Sequence, residues 1–221
     1  MTSIDFSKNA LSNLIAEHIA EQIMTGELKP GQKLIENDYA IEYGTSRAPV
    51  REAFYLLTIE GLVERIPRKG TVVKGYTEAE IYDLLEIRTS LESLAMKRIM
   101  AHGVDQAVMI KMKQLLQEMG HVREVKKYTQ LNYLFHMCLI EMSKSNVIRS
   151  MYARLAPPLL RIQSLSFANE GNIAKSLAEH AMIVELLQKG NVSEAACVLD
   201  KHNYDVIISI RKRLKKDAGI K

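Results

Sequence analysis

The chain has 221 residues, 47% of them hydrophobic, which is enough for a packed core and suits one large or two small domains. No stretch reaches the ~18 uncharged apolar residues of a membrane span, and Met1 to Ala10 lacks the basic start and apolar block of a secretory signal. Two cysteines, Cys138 and Cys197, cannot build a disulfide framework, so a reducing cytoplasm is expected. The net charge of +4 is modest but unevenly spread. Residues 1–43 carry three Lys or Arg against seven Asp or Glu, residues 44–75 carry six against three, and residues 76–221 carry twenty-one against sixteen. Much of the last excess lies in the tail Arg211 to Lys216. The local basic segment at 44–75 permits nucleic-acid binding; the bulk charge does not announce it.

Leu11, Leu14, Ile15, Ile19, Ile23 and Met24 share one helical face, and that helix stops at Gly26 and Pro30-Gly31. A short helix is expected from about Glu36 to Tyr43, then a turn at Gly44-Thr45 with Ser46 as N-cap. Val50, Ala53, Phe54 and Leu57 form the inner face of the next helix, with Pro49 tolerated as its third residue. Leu62 to Ile66 and Thr71 to Val73 predict two strands of a hairpin around Pro67-Arg68-Lys69-Gly70. After Gly75 the strand signals end. Thr77 with Glu80 is a capping box opening a helix to about Ala101. Further helices are expected at 106–120, 128–143, 146–168 (kinked at Pro157-Pro158), 172–189 and 192–216.

The expected fold is therefore mainly α. A winged helix-turn-helix occupies 1–75 and an all-α bundle 76–221. Arg47 and Arg51, four residues apart, fall on the face opposite Val50, Ala53, Phe54 and Leu57. A guanidinium there could bond guanine bidentately or clamp a phosphate. Lys69 and Gly70 at the hairpin tip add charge and close backbone approach. By spacing alone, a merely solvated helix face stays open.

In the second half, three histidines lie on apolar stripes of separate helices. His180 sits with Ile173, Leu177, Val184 and Leu187. His202 sits with Ala195, Val198, Leu199 and Val206. His136 lies one turn after Asn132, at the edge of a face with Phe135 and Leu139. Each could be an ordinary hydrogen-bonded core histidine, or all three could share one divalent metal ion. His18, His102 and His121 show no such placement. Arg88, expected inward beside Leu84, Leu91 and Ala95, needs an anion. It could pair with Glu92 four residues on, or hold a carboxylate ligand.

The stretches GELKPGQKL (26–34), SRAPVREA (46–53), EGLV (60–63) and RKGTVV (68–73) closely resemble the DNA-binding domain of GntR-type bacterial transcription regulators. The resemblance covers nearly all of residues 8–74. It implies operator contacts from Arg47 and Arg51, backbone contacts from Ser46 and Asn37, and a wing tip at Gly70 in the minor groove. Residues 77–216 resemble the helical effector domain of the FadR-type subfamily, on LEIRTSLE (85–92), NYLFH (132–136), Glu179-His180 and Lys201-His202. That resemblance implies a divalent ion, zinc or nickel by donor type, held by Asn132, His136, His180 and His202. Arg88 would then hold a carboxylate effector. The first metal position is more usually Asp; Asn keeps an oxygen ligand but removes a charge. The function implied is a cytoplasmic, homodimeric regulator, a repressor, that binds double-stranded operator DNA and responds to a small organic acid. A sensor in which the ion itself is the signal, and a metal-dependent enzyme fused to a DNA module, are the competing classes. Against the enzyme, no evident general base or nucleophile motif accompanies the histidines.

Overall fold

The computed structural model describes residues 6–25, 27–74, 76–169 and 171–217. The side chains of Met24, Lys215 and Lys216, together with Gly26 and Gly75, fall outside the described residues. The chain divides into two compact units, one up to Thr77 and one from Glu78.

The first unit runs α1 (Phe6–Thr25), β1 (Lys33–Leu34), α2 (Glu36–Glu42), α3 (Arg47–Ile59), β2 (Val63–Ile66) and β3 (Gly70–Val73). The strands make an antiparallel sheet in the order β1-β3-β2, with Leu34 opposite Thr71 and Arg65 opposite Thr71 from the other side. The two-residue β1 is too short to show alternation and was not foreseen. Ile15, Ile19 and Ile23 of α1 bury completely against Val50, Ala53, Phe54 and Leu57 of α3, and Leu62, Val63 and Val73 close the core. Leu11 and Leu14 do not join them; Leu14 is 62% exposed, because the buried stripe repeats every fourth residue from Ile15. Gly44 takes a φ of 59° in the turn between α2 and α3, a conformation that favours glycine. Ser46 occupies the N-cap of α3, but its side chain makes no capping bond. At the wing tip Arg68 and Gly70 both have positive φ, which turns β2 back into β3.

Among the described residues the elements of the second unit are all helices: α4 (Glu78–His102), α5 (Gln106–His121), α6 (Val125–Met142), α7 (Asn146–Arg154), α8 (Ala156–Phe167), α9 (Asn172–Gln188) and α10 (Val192–Asp217). The single kinked helix expected at 146–168 is instead two, parted at Leu155. Proline is tolerated in a first turn, where its missing N–H has no helical partner, so the Pro157-Pro158 pair starts α8 rather than bending α7. Asp105 caps α5 by accepting from the Ala107 and Val108 amides, and Ser145 caps α7 by accepting from Ile148. The buried stripe of α4 runs Ile81, Leu85, Arg88, Glu92, Ala95 and Ile99, so Leu84 and Leu91 sit at its flanks, half-buried. One apolar core joins α4, α5, α6, α9 and α10 through Met96, Met112, Phe135, Leu139, Ile183 and Leu199. Among the described residues no helix is long and apolar enough to cross a membrane.

Candidate DNA interface and candidate metal centre

In the first unit, α3 buries one face and exposes Arg47 and Arg51, whose side chains are 61% and 57% accessible. A groove of about 390 Å³ brings together Asn37, Arg47 and Gly70, with Lys33, Glu36 and Arg65. Arg51 lines a neighbouring groove that shares Glu36, Arg65 and Thr71 with the first. Ser46 and Lys69 are exposed but line neither groove. Arg65, exposed on β2, is not among the residues expected from the sequence, nor is Glu36. Glu36 accepts from Arg51 Nε and Nη2 at 3.0 and 2.8 Å. The Arg51 bond leads the effects that hold the Glu36 carboxyl below its ordinary value.

In the second unit, α6 supplies Asn132 and His136, α9 supplies His180 and α10 supplies His202, all essentially inaccessible. His136 lies fully inside rather than at the edge of its face. One nitrogen from each histidine falls within 4.8 Å of the others. His136 Nε2 and His180 Nε2 are 3.3 Å apart. Two nitrogens on one tetrahedral zinc, each ~2.0–2.1 Å from it, would lie about 3.3–3.4 Å apart. Phe135 stacks on His180 at 4.1 Å between centroids and walls one side of the cluster.

Carboxylates orient two of the three rings. Glu179 Oε2 lies 2.7 Å from His202 Nδ1, so that nitrogen donates to the carboxylate, the ring orientation is fixed, and Nε2 is the nitrogen left for a ligand. Glu92 Oε1 lies 3.2 Å from His136 Nδ1. Burial pushes His136 down to about 4, with Glu92 working against the shift. Burial also drives His180 well below the usual histidine range. Both rings are thus neutral near pH 7, the form that ligates metals.

Glu92 is the hub of the polar interior. Its carboxylate accepts from Arg88 Nε at 2.8 Å, Tyr152 hydroxyl at 2.7 Å and Asn203 Nδ2 at 2.8 Å. Burial opposes its charge, yet Arg88 and His136 bring the carboxyl well below the ordinary value. Arg88 therefore has an anion within its own helix. Its Nη2 also lies 3.0 Å from His136 Nε2. Tyr152, Asn203 and Glu179 were not among the sequence candidates.

Ordinary core histidines would all find partners. His136 does, in Glu92, Arg88 and His180. His180 Nδ1, His202 Nε2 and Asn132 Oδ1 are buried with none, although Asn132 Nδ2 donates to Gln163 at 3.2 Å. An unmet buried polar atom costs ~1–3 kcal/mol. Unpartnered polar atoms on two imidazoles and an amide, gathered beside neutral rings, fit a borderline divalent ion. Outside this cluster, a cleft of about 450 Å³ between α9 and α10 is lined by Asn172, Lys175, Asp205, Ser209 and Lys212. It adjoins a passage of only about 30 Å³ reaching Glu179 and His202.

A winged helix-turn-helix joined to a separate helical bundle with a buried polar cluster is the plan of a regulator that couples DNA binding to an effector. Residues 11–73 match the gntR family of bacterial regulatory proteins, and residues 83–204, more than half of the chain, match the FCD domain. The chain belongs to the GntR family of HTH-type transcription regulators, with an FCD domain as its ligand-binding effector domain. An HTH-type transcriptional regulator of Bacillus subtilis (strain 168) is 27% identical over 191 residues, 85% of each chain. The HTH-type transcriptional repressor RspR of Escherichia coli (strain K12) is 24% identical over 84% of this chain and 82% of its own. The gluconate operon transcriptional repressor of Bacillus subtilis is 28% identical over 68% of this chain and 63% of its own. A solved GntR regulator from Rhodococcus sp. RHA1 superposes with a TM-score of 0.74 at 22% identity, over 91% of this chain and 97% of that one, and shares the fold.

Proposed function

We propose that this protein is a repressor acting in the cytoplasm as a homodimer, each subunit offering one recognition helix to half of a two-fold operator. Arg47 and Arg51 carry the base or phosphate contacts. Asn37, Ser46, Lys69 and Gly70 position the backbone and wing. His136, His180 and His202 hold one divalent ion, zinc or nickel by donor type, and Asn132 adds an oxygen. The ion supplies a positive centre for an anionic effector. Because these ligands are uncharged, that positive charge is left for the effector to offset. The effector is a small organic acid, reaching the centre past Lys175 and His202 and meeting Arg88. The repressors among its relatives support the sign of regulation, and the gluconate operon repressor makes sugar acids the first to try. The protein is a regulator and not an enzyme.

The observation that carries this reading is His202 Nε2, a buried ring nitrogen oriented by the Glu179 bond to Nδ1 and left without a partner. Coupling is built into Arg88. Its Nη2 shares His136 Nε2 with any bound ion, so loading the centre and moving Arg88 are linked. An acid that binds both conformations equally would shift nothing. Elemental analysis of purified protein should find about one zinc or nickel per chain. Calorimetric titration of the metal-loaded protein with gluconate and related sugar acids should show binding that Arg88→Lys weakens, since lysine keeps the charge but loses the fork. Metal-free protein that still binds its acid would overturn the metal role. Equal affinity in the Arg88→Lys variant would remove Arg88 from the effector site.

A further inference from the structure

Arg47 and Arg51 are the cations that α3 presents, and one carboxylate holds both. Glu36, at the start of α2, lies 2.8 Å from Arg51 Nη2 and 3.6 Å from Arg47 Nη2. Its two oxygens take the Nε and Nη2 donors of Arg51 together, at 3.0 and 2.8 Å. That is one of the forked edges by which a guanidinium meets a guanine or a phosphate. Glu36 also lines both grooves beside α3. A carboxylate in that place weakens attraction to every DNA alike, because phosphates drive non-specific binding. It costs a well-matched duplex less, because Glu36, by keeping the Nε–Nη2 edge, holds the Arg51 guanidinium in one orientation, and a correctly placed guanine that meets the remaining donors gains from that positioning what other duplexes do not.

We propose that Glu36 is a specificity-determining positioning residue of the DNA interface. It occupies the Nε–Nη2 edge of Arg51 and offsets the charge of Arg47 and Arg51, so that duplexes lacking the right partner for Arg51 bind poorly. Discrimination then comes from a penalty on wrong partners as much as from contacts to the right one. The inference rests on Arg47 and Arg51 facing DNA. The bland alternative makes Glu36 a first-turn acid that stabilises α2 through its dipole. That role would leave DNA discrimination untouched.

The test uses the full-length protein, a duplex it selects from a random-centred pool, and the unselected pool itself, at fixed salt. Glu36→Gln should tighten binding to the unselected pool about three- to tenfold and change the selected duplex less than about twofold, so the ratio of affinities falls about threefold or more. Glu36→Asp keeps the charge and should leave affinity for the pool near that of wild type. Equal tightening on both duplexes, no change on either, or an Asp variant that tightens on the pool as much as Gln would each overturn the proposal. The Arg47→Ala, Arg51→Ala double variant separates the underlying reading. If it binds both duplexes like wild type, the arginines do not face DNA, whatever Glu36 does.

Discussion

Each unit of this protein holds an arginine and a glutamate 2.8 Å apart, and the two pairs are not equivalent. Arg88 and Glu92 are 1% and 0% accessible, whereas Arg51 and Glu36 are 57% and 25%. In the bundle both charges have left water, and each depends on the other and on Tyr152, Asn203 and His136 to offset that loss. On the DNA-binding unit water solvates both partners, and the pair can open at little cost. Distance alone cannot rank the two; burial does. The buried pair is a fixed part of the effector domain's interior. The exposed pair is free to exchange partners, which suits a surface that must meet DNA.

The sharpest way to break this comparison is to remove one carboxylate from each pair. Glu92→Gln leaves Arg88 buried without its anion and should lower unfolding stability by about 3–5 kcal/mol. The change should appear as a large drop in the urea midpoint. Glu36→Gln should leave that midpoint nearly unmoved. Arg88→Met removes the other charge of the pair and leaves no buried cation behind. The structure shows the complement of that problem: Arg88→Met strands the Glu92 carboxylate instead. Adding Glu92→Gln to Arg88→Met should therefore recover part of the stability lost by either single change. Full additivity of the two losses would mean that the pair does not act as a unit.

The histidine cluster extends the contrast, because its unpartnered polar atoms too are stranded unless something joins them. Replacing His180 or His202 by Ala should take metal content from about one ion per chain toward none. The melting temperature should fall with it, since an ion bound only by the folded state stabilises that state. Glu179→Gln, which loosens the orientation of His202 without removing a ligand, should weaken metal affinity about 10- to 100-fold. Competition with a chromogenic chelator measures all three. Full metal retention in both His variants would return the histidines to the core.

How much of this was legible in the sequence follows from the same contrast. Imidazoles on apolar stripes are conspicuous because each breaks a periodic pattern within a single helix, so His136, His180 and His202 could be named together. Arg88 was visible for the same reason. Glu92 was seen only as a helical neighbour, and its other partners, Tyr152 and Asn203, come from 60 and 111 residues away. Such residues look ordinary until the helices pack. Glu179 is a charged residue on a long helix, indistinguishable by pattern from a solvated one. In the first unit the order of helices and hairpin strands was readable from periodicity and glycine placement. The two residues of β1 were not, since pairing with β3 alone defines them.

On the DNA-binding unit the expected effects concern binding rather than stability. Arg47→Ala or Arg51→Ala should weaken affinity for the selected duplex about five- to a hundred-fold if the residue bonds a base edge, and less if it touches only phosphate. Gel-shift titration at fixed salt measures this, and repeating it across salt tells the two apart. Loss of a phosphate contact flattens the salt dependence by about one unit and acts on all sequences alike. Unchanged affinity in a folded double variant would remove both residues from the interface.

The smallest effect is the acid dependence of the exposed pair, and its sign is fixed by the direction of the Glu36 shift. Arg51 holds the Glu36 carboxyl below its ordinary value of 4.5, so the folded protein gives up that proton more readily than the unfolded chain. The stabilisation is therefore present above about pH 4.5 and fades as pH falls through the depressed value. Because Arg51 stands in water, salt should screen most of this. The difference in urea midpoint between wild type and Glu36→Gln should be small and flat from pH 7 to pH 5, then shrink toward zero below pH 4.5, and should be smaller still in high salt. A difference that grows on acidification, or one as large as that of Glu92→Gln, would mean that Glu36 is held as firmly as the buried carboxylate and that burial does not separate the two pairs.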